Sequence, residues 1–87
     1  MRIWAREFKD TRMLRDTLIV DESGETRTHK IFAAITAVCK QFDLAQPVWL
    51  DGNIKDFKRN AKVRFTQDSF IEEVPFDYLE IQVIEED

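Results

Sequence analysis

This 87-residue chain has one cysteine, one histidine, two glycines and two prolines. Each scarcity removes a class of chemistry. A single Cys39 cannot form a disulfide within the chain, so stability must come from packing, which suits a reducing cytoplasm. One histidine with one cysteine cannot build the usual Cys/His zinc clusters. Gly24 and Gly52 alone leave no glycine-rich phosphate loop. No stretch approaches the ~20 apolar residues of a membrane span, and the start, "MRIWAREFKD", lacks the apolar core of a signal peptide. The last segment lacks something else: residues 65–87 hold eight acids and no Lys or Arg.

What is present is enough to fold. The chain is 44% hydrophobic and has seven Phe and two Trp, too apolar for disorder despite 34% charged residues. At this size residues 1–87 form one domain with a small core. The expected location is the cytoplasm.

Charge is unevenly placed. Residues 1–52 balance eight bases against eight acids, whereas residues 53–64 carry five bases and one acid. The chain is neutral, then +4, then −8, for a net of −4. Lys55, Lys58, Arg59, Lys62 and Arg64, in "NIKDFKRNAKVRF", are the cations in question. Over a helix, Lys55, Lys58, Arg59 and Lys62 share one stripe, with like-charge i,i+4 pairs that each cost roughly 0.2–0.5 kcal/mol. The acidic C-terminal strands are expected to compensate most of this segment internally.

Periodicity outlines the fold. Residues 2–9 and 13–20 read as strands joined by a tight turn at "KDT", with Asp16 and Thr17 interrupting alternation as a bulge or edge would. From a Thr26 or Thr28 cap, Ile31, Phe32, Ile35, Val38, Cys39 and Phe42 recur at helical spacing until about Asp43. "VWL" (48–50) reads as a short buried strand, followed by a second helix over about 53–61 capped by Asp51 or Asn53. Residues 62–65 turn back into a strand, "FIEEV" (70–74) is a further candidate, and "FDYLEIQVIEE" is the clearest strand. Its faces are Leu79, Ile81 and Val83 against a solvated Tyr78, Glu80 and Gln82. The expected class is α+β: an antiparallel sheet of about four to five strands, one long helix packed on one face, and a second short helix.

The stretches "PVWLDGNIKDFKRN", "RFTQDSFIEE" and "FDYLEIQVIEED" resemble a family of short, uncharacterised proteins of anaerobic Firmicutes. The resemblance runs the length of the chain. It implies a self-contained bacterial domain, with no known activity and no site residues to carry over.

The candidate sites are few. The basic segment offers a docking surface for a protein partner, with Trp4, Trp49 and Phe57 as aromatic anchors. The alternative is an accessory nucleic-acid binder, since Arg2, Trp4, Arg6 and Phe8 alternate on one strand face where arginines hold phosphates and aromatics stack bases. Against it, Arg2 and Arg6 can pair with acids such as Glu80, leaving Trp4 covered by cation–π contacts. His29 reads as a surface histidine and Cys39 as an inert buried thiol. "DGNIKD" has its glycine and lysine in the wrong places for a calcium loop. Adjacent acids such as Glu72–Glu73 point to opposite sides of a strand. The C-terminal acids are expected to guard an edge strand. No metal site, cofactor or catalytic set emerges, and the expected partners are a protein or a second copy, with no membrane contact.

Overall fold

In the computed structural model, which describes every residue from Met1 to Asp87, β1 (Arg2–Lys9) and β2 (Arg12–Val20) open the chain as a hairpin. α1 (Arg27–Phe42) and α2 (Asp51–Asn60) follow, then β3 (Lys62–Thr66), a 3₁₀ turn (Gln67–Ser69) and β4 (Tyr78–Glu85). The strands are antiparallel in the order β2-β1-β4-β3. The α+β class is as expected, with four strands and two helices. No helix is long and apolar enough to cross a membrane.

With so little glycine, other residues take the left-handed positions. Asp10 (φ 52°) and Thr11 (φ 65°) form the two-residue hairpin, which demands positive φ at both. Asp43 and Ala61 end α1 and α2 in the same conformation, donating N–H bonds to the Cys39 and Phe57 carbonyls. A non-glycine residue there costs about 1 kcal/mol. Thr26 caps α1 at its start by accepting from the His29 N–H.

Alternation then divides the sheet into two faces. Ile3 and Ala5 of β1, Val63 and Phe65 of β3, and Leu79, Ile81 and Val83 of β4 are buried on the inner face. They pack with Ile31, Ala34, Ile35, Val38, Cys39 and Phe42 of α1 into one core, each large side chain contributing about 1.5–3 kcal/mol. Phe32, expected in that stripe, is instead 50% exposed at its margin. Glu7 also lies on the inner face, buried, where Arg15 of β2 meets both its oxygens at 2.9 and 3.0 Å. Arg15 also donates to the Phe42 carbonyl at the end of α1.

Several expectations are corrected. Residues 48–50 are not a strand: Val48 and Leu50 are exposed, and the one backbone bond to a neighbouring segment is Val48 N–H to the Ser69 carbonyl. The α2 cap is Leu50, whose N–H donates to Asn53 Oδ1 in the first turn. Residues 70–74 form an irregular loop because Gln67 ties them off, its amide donating to the Glu72 carbonyl and accepting the Val74 N–H. β2 is an edge, but its bulge is at Leu14, where the register with β1 shifts. Asp16 and Thr17 pair regularly. β4 is no edge, since β1 and β3 flank it, so its acids guard none. They clasp other elements instead. Asp87 binds the buried Lys30 ammonium (2.5 Å) and the Met1 ammonium (2.6 Å), and Glu86 binds Arg27.

Candidate functional site

Asn53 positions the basic segment. Its carboxamide joins the start of α2 to β3 by donating to the Arg64 carbonyl, and Ser69 Oγ donates to its oxygen. Phe57 is thereby held in the core, and the charged side of α2 faces outward. Ala61 then reverses the chain into β3. That reversal splits the cations into two groups with different fates.

Arg64 and Lys62 belong to β3, whose register places Arg64 beside Glu80 of β4. Glu80 is on the open face of the sheet, where solvation was expected, yet it is only 2% exposed. Arg6 and Arg64 cover it: Arg6 Nη2 binds one carboxylate oxygen and Arg64 Nε the other at 3.1 Å, with Lys62 at 4.0 Å. The bond to Glu80 raises Arg64 above its usual pKa. Arg6 also lies 3.9 Å from the Trp4 ring centroid, and Arg64 4.7 Å from that of Tyr78. Trp4 Nε1–H donates to Asp16 at 2.8 Å. One ring face of Trp4 is therefore taken by a guanidinium, and its polar edge by a carboxylate. Arg2 reaches Glu85 at 4.0 Å.

Lys55, Lys58 and Arg59 stay on α2, exposed and without any ion pair. The expectation that the C-terminal strands compensate most of the segment is thus corrected. They reach Lys62 and Arg64 only, because no acidic element packs on the outer side of α2.

Lys58, one of these free cations, borders a cleft of about 370 Å³ between the N-terminal half of α1 and α2. Trp49 is its hub, with near-perpendicular contacts to Phe32 (6.1 Å), Phe57 (5.6 Å) and Phe65 (5.0 Å). Ile31 and Ile54 complete the apolar lining, and Arg27 and Lys58 stand at its rim. Arg27 is held by Glu86 and lies 5.2 Å from the Phe57 ring, leaving Lys58 as the rim cation without a partner. The volume is at the small end of the range for ligand clefts, about 300–1,000 Å³. The sequence does not predict the cleft, although Trp49 and Phe57 read there as candidate anchors. Its only trace in the sequence is the position of Phe32, at the margin of the α1 stripe.

Other candidates are accounted for. His29 is exposed and contacts Glu25 at 3.1 Å. Cys39 is buried, which pushes its thiol pKa up and suppresses the thiolate. No group of three or more His, Cys, Asp or Glu side chains is placed to hold a metal ion. No protein-family model, curated protein or solved structure matches the chain.

Proposed function

We propose that this chain is a small, non-catalytic protein-interaction domain of the cytoplasm that docks an acidic partner segment on α2 and the adjoining cleft. One observation carries this reading: Lys58 lines an aromatic cleft without an ion-pair partner, and Lys55 and Arg59 stand exposed and unpaired on the same helix. Lys55 and Arg59 are one helical turn apart and repel each other, a cost that an acidic partner would relieve. An apolar pocket rimmed by cations suits a segment that supplies one large apolar side chain flanked by carboxylates. The buried ionisable groups Glu7, Lys30 and Glu80 are each held in an ion pair between elements of the fold, and none of them lines the cleft.

A nucleic-acid role is the weaker reading. Glu80 occupies two of the five cations, Arg6 covers Trp4, and −8 lies in the residues that follow. Three lysines or arginines on one short helix are few against the basic surfaces such proteins present.

The test is affinity capture with the wild-type chain, identification of the captured protein, and titration of that purified partner. Lys55→Glu/Lys58→Glu/Arg59→Glu is expected to weaken binding by about tenfold or more. A partner that binds both chains equally would remove this surface from the contact. Salt-sensitive binding to RNA or DNA lost in the same variant would favour the weaker reading instead.

A further inference from the structure

A second surface on the same chain has the chemistry that the cleft calls for. Ile71 is 91% exposed, the most exposed of the large apolar side chains. It is followed by Glu72 and Glu73, both exposed and neither in an ion pair. The loop that presents them is held firmly. Phe70 and Phe76 are buried on either side with their rings 5.6 Å apart, and Gln67 binds the backbone of Glu72 and Val74. Ile71 therefore stands outward on a preorganised loop, and such a side chain loses little freedom on binding. The cations left unpaired on α2 and the carboxylates left unpaired on this loop are complementary.

We propose that the chain associates with itself, Ile71 of one copy entering the α1–α2 cleft of a second while Glu72 and Glu73 meet Lys58 and Lys55. This rests on the reading of α2 and its cleft as a docking surface, and names the partner. The apolar lining of Ile31, Trp49 and Phe57 receives the isoleucine. The rim cation without an internal partner, Lys58, receives a carboxylate. Both halves of the contact exist on every copy, so the contact closes as a two-fold pair or propagates as a chain. One loop in one cleft is smaller than a standard interface, so the association belongs with weak, transient contacts and is sought between roughly 10 µM and 1 mM protein.

Sedimentation velocity over that concentration range tests this directly. The wild-type mass is expected to rise with concentration, less so in high salt. Ile71→Ser and Lys58→Glu should each weaken association about tenfold or more. Both residues are exposed, so circular dichroism should show the fold unchanged. A charge swap is the decisive arm. Glu72→Lys/Glu73→Lys makes loop and rim both basic, and Lys55→Glu/Lys58→Glu makes both acidic, so each variant alone should remain monomeric. Mixed in equal amounts, they should associate. A wild-type chain monomeric to 1 mM, or a mixture no heavier than its components, overturns the inference. So does association that survives Ile71→Ser and Lys58→Glu, which would place the contact elsewhere, as on the exposed edge of β2. A monomeric chain whose captured partner is still lost on α2 charge reversal would end the self-association and leave the docking surface standing.

Discussion

The open face of the sheet and the outer side of α2 are both rich in cations, and they solve the same problem in opposite ways. On the sheet, Arg6, Arg64 and Lys62 converge on one buried carboxylate, and the guanidiniums stack on Trp4 and Tyr78. On α2, Lys55, Lys58 and Arg59 make no ion pair. The first surface holds the fold together and the second is left available. Density of positive charge therefore says little about function; what matters is whether a carboxylate already sits within it.

The sharpest way to break this contrast is Glu80→Gln. It strands Arg6 and Arg64 without their counter-charge, and a loss of roughly 2–3 kcal/mol is expected in urea unfolding. That is below the range for a fully buried pair, because Arg64 is half-exposed. Ala61→Gly, at the turn that separates the two cation groups, should stabilise the chain by about 1 kcal/mol by relieving the left-handed alanine. By contrast, Lys55→Glu/Lys58→Glu/Arg59→Glu should cost no more than about 1 kcal/mol: these side chains are exposed and unpaired, and only the dipole at the last turn of α2 favours Lys58 and Arg59. A large loss from this variant would show that α2 charges serve the fold after all.

A pH titration sharpens the comparison at the chain's other carboxylates. The Lys30 ammonium, then the Met1 ammonium, hold the Asp87 carboxyl below its ordinary value of 3.8. A depressed carboxyl stabilises the fold above its unfolded value, and that contribution disappears as pH falls through the lower folded value. Stability should therefore decline below about pH 4, and Asp87→Asn should flatten this decline in acid unfolding curves. Some slope will persist, because bonds from Ser23 depress Asp21 in the same direction.

Much of the fold was legible because it rests on short-range periodicity. The α1 stripe from Ile31 to Phe42 and the alternation of Leu79, Ile81 and Val83 each read the same way in sequence and structure. The errors fall where no local period decides. Residues 48–50 and 70–74 are apolar enough for strands, yet neither pairs with the sheet, whose edge strands β2 and β3 carry no further strand. Of the candidate site, the cations and aromatic anchors were visible as residue types. The cleft between Trp49, Phe57 and Ile31 was not, because those side chains come from three separate segments.

The sequence alone determined an α+β class, a single small core, the helical stripe, and a chain that runs from neutral to basic to acidic. Those follow from side-chain periodicity and charge counts, which need no partner to be read. Tertiary structure alone decided which of the five cations are occupied. A left-handed turn at Ala61 sends Lys62 and Arg64 into a strand beside Glu80, and keeps Lys55, Lys58 and Arg59 on a helix with nothing acidic packed against it. Ion pairing depends on distances of a few ångströms across the fold, and no spacing along the chain encodes those.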